Sequence, residues 1–254
     1  MRLTVLGCSG TFPGPCSPCS SYLVEADGFR LLVDAGNGAL GPLQRHADLL
    51  APDAAIISHL HGDHYLDLLP YTYARRYHPD GAAPALPLHA PSDLPHQLKA
   101  SFGAATSSAE LVDEVYDIRT LAPGRREIGP FALTLARMAH PVECYGMRLE
   151  AGGATLAYSA DTGPCDALLE LAADTDVLLC EAAFGAGGGP PDLHLSGQQA
   201  GEYAARAGAG RLLLTHLVPW GDAGRTRDAA TAAYAGPVDV VASGDRHEIP
   251  RSAR

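Results

Sequence analysis

Residues 58–64 read Ser58-His59-Leu60-His61-Gly62-Asp63-His64, three histidines and an aspartate in the pattern H-x-H-x-D-H. The run before it, Ala54-Ala55-Ile56-Ile57, is short, apolar and partly β-branched, which predicts a buried strand. Tyr65-Leu66-Asp67-Leu68-Leu69, just after it, predicts the opening turns of a helix. The cluster thus falls where a strand hands over to a helix, a usual position for sites in layered α/β proteins. Neutral imidazoles and a carboxylate are good ligands for zinc and similar borderline metals. The competing reading is a solvated polar loop, and four potential ligands within six residues argue against it.

On the N-terminal side, Leu3-Thr4-Val5-Leu6 predicts a strand, and a loop rich in Gly, Pro, Ser and Cys runs from Gly7 to Ser20. Ser21 to Glu25 and Phe29 to Val33 flank Ala26-Asp27-Gly28, a hairpin signal. The Gly-rich loop lacks the lysine of a P-loop, so it reads as a rim of the site and only weakly as a phosphate cradle. Asp34 follows a strand and precedes a short helical piece, Leu40 to Arg45. It either supports the metal ligands from behind or caps that helix.

On the C-terminal side, the pattern predicts a helix from Leu66 to Tyr77 and a strand from Leu86 to Ala90. A second helix, Ser92 to Phe102, would take Ser92 as its N-cap. His78, His89 and His96 stand alone and read as surface or structural residues. Strands are expected at Val115–Arg119, Phe131–Met138, Cys144–Leu149 and Thr155–Tyr158. His140 precedes Pro141 in a loop, where it is either a ligand or an ordinary loop residue. Tyr158-Ser159-Ala160-Asp161-Thr162-Gly163 repeats the design at residue 58: a strand, a carboxylate, a turn into a helix (Cys165 to Leu171). The strand Val177 to Cys180 ends on Glu181. The loose stretch Gly185 to Pro191 leads to Asp192-Leu193-His194-Leu195-Ser196-Gly197, with Ser196 capping a helix to Ala207. The strand Arg211 to Thr215 ends on His216, and a helix (Thr226 to Tyr234) and a strand (Pro237 to Val241) close the chain. No linker or composition break divides residues 1–254, which read as a single domain in two similar halves. Two sheets packed face to face with helices outside would satisfy this order.

With 254 residues, 46% of them hydrophobic, the chain can bury an ample core. No run approaches the roughly 18 apolar residues that span a bilayer. The N-terminus turns polar too soon for a secretory signal, so a cytoplasmic location is expected. A net charge of −11 disfavours broad binding to nucleic acid. A phosphate-bearing substrate stays open, because bound metal ions supply local positive charge. The six cysteines, at 8, 16, 19, 144, 165 and 180, include one close pair, Cys16-x-x-Cys19. No second pair completes a four-cysteine zinc site, and they read as free thiols without an assigned role.

Taken in order, H-x-H-x-D-H, His140, Asp161 and His216 resemble the metallo-β-lactamase superfamily, an α/β fold built as a four-layer αββα sandwich. The resemblance covers essentially the whole chain. It implies two divalent metal ions, Zn2+ by default with Mn2+ or Fe2+ as alternatives. One would be held by His59, His61 and His140 and the other by Asp63, His64 and His216, with Asp161 bridging. Glu181-Ala182-Ala183-Phe184 followed by His194-Leu195-Ser196 resembles the paired loops of ribonuclease Z-type enzymes. That likeness implies that His194 acts on the leaving oxygen and Glu181 orients it, with Asp63 completing the catalytic set. The plain reading of His194 is a helix-end histidine on a loop. Ribonuclease Z usually carries a protruding arm between the elements matching His140 and Asp161, which here are 161 − 140 = 21 residues apart. That leaves room for one strand pair, and the net negative charge gives little help in holding tRNA.

A closer likeness runs through Leu6-Gly7-Cys8-Ser9-Gly10, Leu43-Gln44-Arg45-His46-Ala47-Asp48, Arg75-Arg76-Tyr77-His78-Pro79, Pro91-Ser92-Asp93 and Pro191-Asp192-Leu193-His194-Leu195-Ser196-Gly197. Together these are similar to an actinobacterial group of atypical cyclic-nucleotide phosphodiesterases. The implied reaction is hydrolysis of a small phosphodiester, 3′,5′-cyclic AMP, to 5′-AMP, with His194 protonating the departing 3′ oxygen; a homodimer is compatible with the resemblance. Ala160 departs from it, since glycine is expected before the bridging aspartate. The alternatives are a tRNA 3′-endonuclease, a lactone or thioester hydrolase, and a non-hydrolytic di-iron module. The second would leave the Glu181/His194 pair without a clear purpose, and the third lacks a flavodoxin-like extension.

Overall fold

A computed structural model of the chain describes residues 1–103, 109–186, 189–190 and 193–250. The first half opens with β1 (Arg2–Gly7), β2 (Ser21–Ala26) and β3 (Phe29–Val33), an antiparallel meander whose second turn is the expected Asp27-Gly28 hairpin. Period-two alternation divides the side chains of these strands between two layers. Tyr22, Val24, Leu31 and Val33 face the second sheet, whereas Leu23 and Leu32 face the helices. The chain then alternates helix and strand: α1 (Leu40–His46), β4 (Ala54–Ile56), α2 (Gly62–Tyr65), α3 (Leu68–Arg76), β5 (Leu86–Ala90), α4 (Leu94–Ser101), α5 (Leu111–Val115) and β6 (Tyr116–Thr120). Strands β3 to β6 pair in parallel.

The second half repeats the plan with β7 (Gly124–Ile128), β8 (Phe131–Arg137), β9 (Tyr145–Ala151), β10 (Ala154–Tyr158), α6 (Asp166–Ala172), β11 (Val177–Glu181), α7 (Gly197–Ala207), β12 (Leu212–Thr215), α8 (Ala223–Ala233) and β13 (Val238–Val240). A last strand, β14 (Arg246–Glu248), returns to the edge of the first sheet beside β1. The sheets are seven-stranded, ordered β14-β1-β2-β3-β4-β5-β6 and β13-β12-β11-β10-β9-β8-β7. Both are mixed, they pack face to face, and helices flank them, which is the expected four-layer αββα arrangement. Among the described residues no helix is long and apolar enough to cross a membrane.

Several details depart from the sequence reading. The expected helix Leu66–Tyr77 forms as α3 but starts only at Leu68, because the Asp67 N–H donates to the Ala35 carbonyl (2.9 Å). The Asp67 carboxylate takes the N–H groups of Gly38 and Leu40 (2.9 Å each) and so serves the N-terminus of α1. Ser92 does not cap the following helix; its hydroxyl donates to Glu143 (2.9 Å), and Asp93 occupies the cap position. Strands β7 and β14 and helix α5 have no counterpart in the sequence reading. By contrast, Ser196 caps α7 as expected, within a capping box completed by Gln199. Part of the loop leading to that cap, Pro191 and Asp192 included, lies outside the described residues.

Candidate metal centre

Sheet geometry brings the distant sequence positions together, because the turns following β3, β4, β10 and β12 open at one end of the sandwich. Asp34 follows β3, His59 to His64 follow β4, Asp161 follows β10 and His216 follows β12. His140 joins them from the turn after β8, while Glu181 ends β11. His59, His64, Asp161, Glu181 and His216 are buried, whereas His61, Asp63, His140 and His194 are partly accessible. Four of the six described non-glycine residues with positive φ lie here: Thr11, Asp34, Ala160 and His216. Such strain persists only where surrounding contacts hold it, and it gathers at functional sites. Ala160 adopts φ +51°, the region where glycine is at ease, which accounts for the residue the resemblance leads one to expect. Asp161 still faces the centre.

Donor atoms of His59, His61, His140 and Asp161 lie within 4.8 Å of one another, as do those of Asp63, His64 and His216. Asp161 stands between the sets. Its Oδ2 is 3.5 Å from His59 Nε2 and 3.3 Å from His216 Nε2, and its Oδ1 is 3.3 Å from His64 Nε2. His140 Nε2 meets His61 Nδ1 at 3.1 Å. Asp63 Oδ2 lies 3.8 Å from His64 Nε2 and 3.7 Å from His216 Nε2.

The outward nitrogens of four rings are tied down, which orients them. His64 Nδ1 donates to Asp34 Oδ2 (2.8 Å) and His59 Nδ1 to Ser58 Oγ (3.1 Å). His140 Nδ1 donates to the Leu193 carbonyl (3.1 Å), and His216 Nδ1 pairs with Ser20 Oγ (2.8 Å). Each arrangement leaves Nε2 turned toward the centre. Asp34 is the hub behind them: it also accepts from the Ser58 N–H (2.7 Å), the Ser58 hydroxyl (2.9 Å) and the Tyr158 hydroxyl (2.9 Å). Of the two readings left open for Asp34, support of the cluster is the one its contacts match, since Asp67 serves the α1 terminus.

Burial lowers the imidazole pKa of His59 and His61, and takes those of His140 and His216 down to about 4. These four are therefore neutral near pH 7, the form that carries a lone pair for a metal. Burial alone would raise Asp161, but the imidazoles of His216, His64 and His59 outweigh it and hold the carboxyl well below its usual range. His64 is the converse case, with Asp161 and Asp34 overcoming burial to raise it. His59 Nε2, His64 Nε2 and Asp161 Oδ1 are buried at the centre with no hydrogen-bond partner. Buried polar atoms seldom go unpaired, and a divalent cation would satisfy all three. The donor set therefore fits a metal.

Beside the cluster, His194 Nδ1 donates to Glu181 Oε1 (2.8 Å), whose carboxylate also accepts the N–H groups of Thr162 (2.8 Å) and Ala183 (3.1 Å). Burial pushes the Glu181 carboxyl up to about 7. Burial works against the His194 imidazolium, but its bond to Glu181 and the charge of that carboxylate raise it overall. Both shifts favour keeping a proton on the pair. His194 donor atoms also lie within ligand reach of Asp161 and His216, but Nδ1 is engaged by Glu181.

All nine candidate residues from the sequence converge on this end of the fold, while His78, His89 and His96 stand outside these groupings. The sequence reading missed the partners Ser20, Ser58, Tyr158, the Leu193 carbonyl and the Thr11 N–H, which donates to Asp63 Oδ2 (2.7 Å). Ser58 and Tyr158 carried a usable signal, since each sits at or next to the end of a ligand-bearing strand. The Gly7–Ser20 loop is a rim of the site, as expected, and the described cysteines are all free.

Residues 29–217 match the family described as the beta-lactamase superfamily domain. The uncharacterized protein Rv1339 of Mycobacterium tuberculosis is 42% identical over 256 residues, covering 99% of this chain and 93% of its own. The probable metallo-hydrolase YhfI of Bacillus subtilis is 32% identical over 248 residues, covering 96% and 98%. Its crystal structure superposes with a TM-score of 0.85 at 30% identity, over 97% of this chain and 98% of that one. A ribonuclease Z of Myxococcus xanthus is 26% identical over 305 aligned positions, covering 98% of each chain. Sandwich, histidine–aspartate cluster and relatives agree, and the protein is a metallo-hydrolase of the beta-lactamase superfamily.

Proposed function

We propose that the protein is a dinuclear-metal phosphodiesterase acting on a small phosphodiester, foremost 3′,5′-cyclic AMP, which it hydrolyses to 5′-AMP. The observation that carries this reading is the Glu181–His194 pair beside the cluster. Hydrolysis of a phosphodiester expels an alkoxide that needs a proton, and this pair is suited to deliver one. His59, His61 and His140 would hold one ion, Asp63, His64 and His216 the other, and Asp161 would serve both; zinc suits these donors. Such ions supply Lewis acidity and lower the pKa of water. The protein's own groups do the rest. Glu181, fixed by Thr162 and Ala183, orients the His194 ring, leaving Nε2 to give its proton to the departing 3′ oxygen. Asp63, held by the Thr11 N–H, presents its carboxylate toward the attacking side.

The small-substrate reading draws on the chain between His140 and Asp161, which is used up by the β9–β10 hairpin and leaves no arm for tRNA. The ribonuclease Z alignment, at 305 positions, is longer than this chain of 254 residues, so that relative carries insertions. The test is a panel of metal-loaded enzyme with cyclic AMP, cyclic GMP, bis(p-nitrophenyl) phosphate, a lactone, a thioester and precursor tRNA. Turnover of the lactone or thioester with cyclic nucleotides untouched sinks the proposal. Salt-sensitive cleavage of precursor tRNA would replace it with tRNA 3′-processing.

A further inference from the structure

The single tryptophan of the chain, Trp220, is 78% exposed, the most exposed large apolar side chain among the described residues. It is nonetheless held in place: its ring lies 4.7 Å from that of Phe12, tilted by 38°. Both residues are carried by loops that begin at the metal centre. Phe12 follows Thr11, whose N–H donates to Asp63, and Trp220 lies four positions after His216. The two loops are joined by main-chain bonding, with the Gly10 N–H donating to the Leu217 carbonyl (3.0 Å). Gly10 is needed there, since a Cβ would stand 2.5 Å from the His216 carbonyl oxygen. The result is a braced aromatic face beside the Asp63–His216 side of the centre.

We propose that Phe12 and Trp220 form a stacking platform for the base of a nucleotide substrate; this rests on the phosphodiesterase reading above. A nucleotide has two ends of opposite character, an anionic phosphate and a flat aromatic base joined by a sugar. The cluster takes the first and the aromatic pair the second. Stacking accepts any base, because every base offers a π face. The platform therefore supplies affinity for nucleotides as a class and leaves the choice among bases to edge contacts. Phe12 stiffens Trp220, so little side-chain freedom is lost when a base settles on it.

Because the chain has one tryptophan, its fluorescence reports this surface alone. Metal-loaded enzyme is titrated with adenosine, 5′-AMP and ribose 5-phosphate while Trp220 emission is followed. Saturable quenching by adenosine and 5′-AMP, and none by ribose 5-phosphate, is the expected result. Phe12→Leu keeps apolar bulk but removes the ring, and should weaken 5′-AMP binding by at least about five-fold. Trp220→Ala, at an exposed position that folding tolerates, should raise KM for cyclic AMP by a similar factor. If cyclic AMP is inert but adenosine still quenches, the substrate assignment falls and the platform stands. Normal cyclic AMP turnover with no quenching and unchanged KM in both variants overturns the platform. So does emission that follows protein concentration and mass by light scattering, and not nucleoside, for then a second copy covers Trp220.

Discussion

Replacing Asp34 by asparagine changes one atom of a side chain that touches no substrate, yet it should loosen the metal site. Oδ1 of Asp34 accepts the Ser58 N–H, and Oδ2 accepts His64 Nδ1 and the hydroxyls of Ser58 and Tyr158. In the amide, oxygen is required opposite the Ser58 N–H, which cannot turn around. Nitrogen then faces three donors. The two hydroxyls can rotate to accept, but His64 must move its proton from Nδ1 to Nε2 and so turn an N–H toward the centre. The lone pair that would bind a cation is lost. The amide nitrogen has two hydrogens for three partners, so at most three of the four bonds survive, each changed from charge-assisted, about 1.5–3 kcal/mol, to neutral, about 0.5–1.5 kcal/mol. Removing a buried charge offsets much of that loss, so thermal stability is the poorer readout. Changes behind a ligand of this kind typically cost 10- to 100-fold in metal affinity, about 1.4–2.7 kcal/mol. Competition with a chelator measures it, and nitrogen NMR of His64 follows the tautomer. Wild-type affinity with the proton still on Nδ1 would refute the reasoning.

Further expectations follow from the same geometry. His194→Ala should lower turnover by at least about 10²-fold with metal content unchanged, as for loss of a general acid; a fully active variant removes His194 from the mechanism. Asp161→Ala should bind fewer than two metal ions by elemental analysis, and a retained stoichiometry of two would contradict bridging. Stripping the metal with a chelator should lower Tm, and metal at about 100 times its Kd should restore about 2.7 kcal/mol; an unmoved Tm argues against a structural contribution. Burial lowers His89 from 6.5 to about 4, and its Nδ1 is unpartnered. The folded state thus binds fewer protons there than the unfolded one, and stability should fall as pH drops from 6.5 toward 4. His89→Phe should flatten that limb of a denaturation profile; an identical acid limb would count against it.

The ligand-bearing stretches were legible because their chemistry is local: H-x-H-x-D-H, Asp161 and His216 each end an apolar strand, and a strand end needs only a short window to recognise. The choice for Asp34 was not local. It turned on Asp67, distant along the chain, reaching the amides before α1. A second long-range bond of the same residue, from the Asp67 N–H to the Ala35 carbonyl, sets the start of α3 at Leu68. β7, Gly-Arg-Arg-Glu-Ile, and β14, Arg-His-Glu, escaped notice because both are edge strands at the ends of their sheets. Edge strands carry charge that guards against unwanted pairing, and this erases the apolar alternation by which a strand is read. Phe12 and Trp220 escaped for another reason. Single aromatics in loops have no periodicity, and only their contact in space gives them meaning.

The bonds between the two sheets carry a consequence for how this protein can vary. Tyr22 bonds Thr215, Tyr158 bonds Asp34, Ser20 bonds His216, and the Tyr145 N–H donates to the Ser58 carbonyl. Each links one half of the sandwich to the other within reach of the centre. His59, His61, Asp63 and His64 belong to one half, and His140, Asp161 and His216 to the other. Neither half alone possesses a complete donor set; the site exists only as a seam. Drift in either half is therefore constrained by the alignment of its mate.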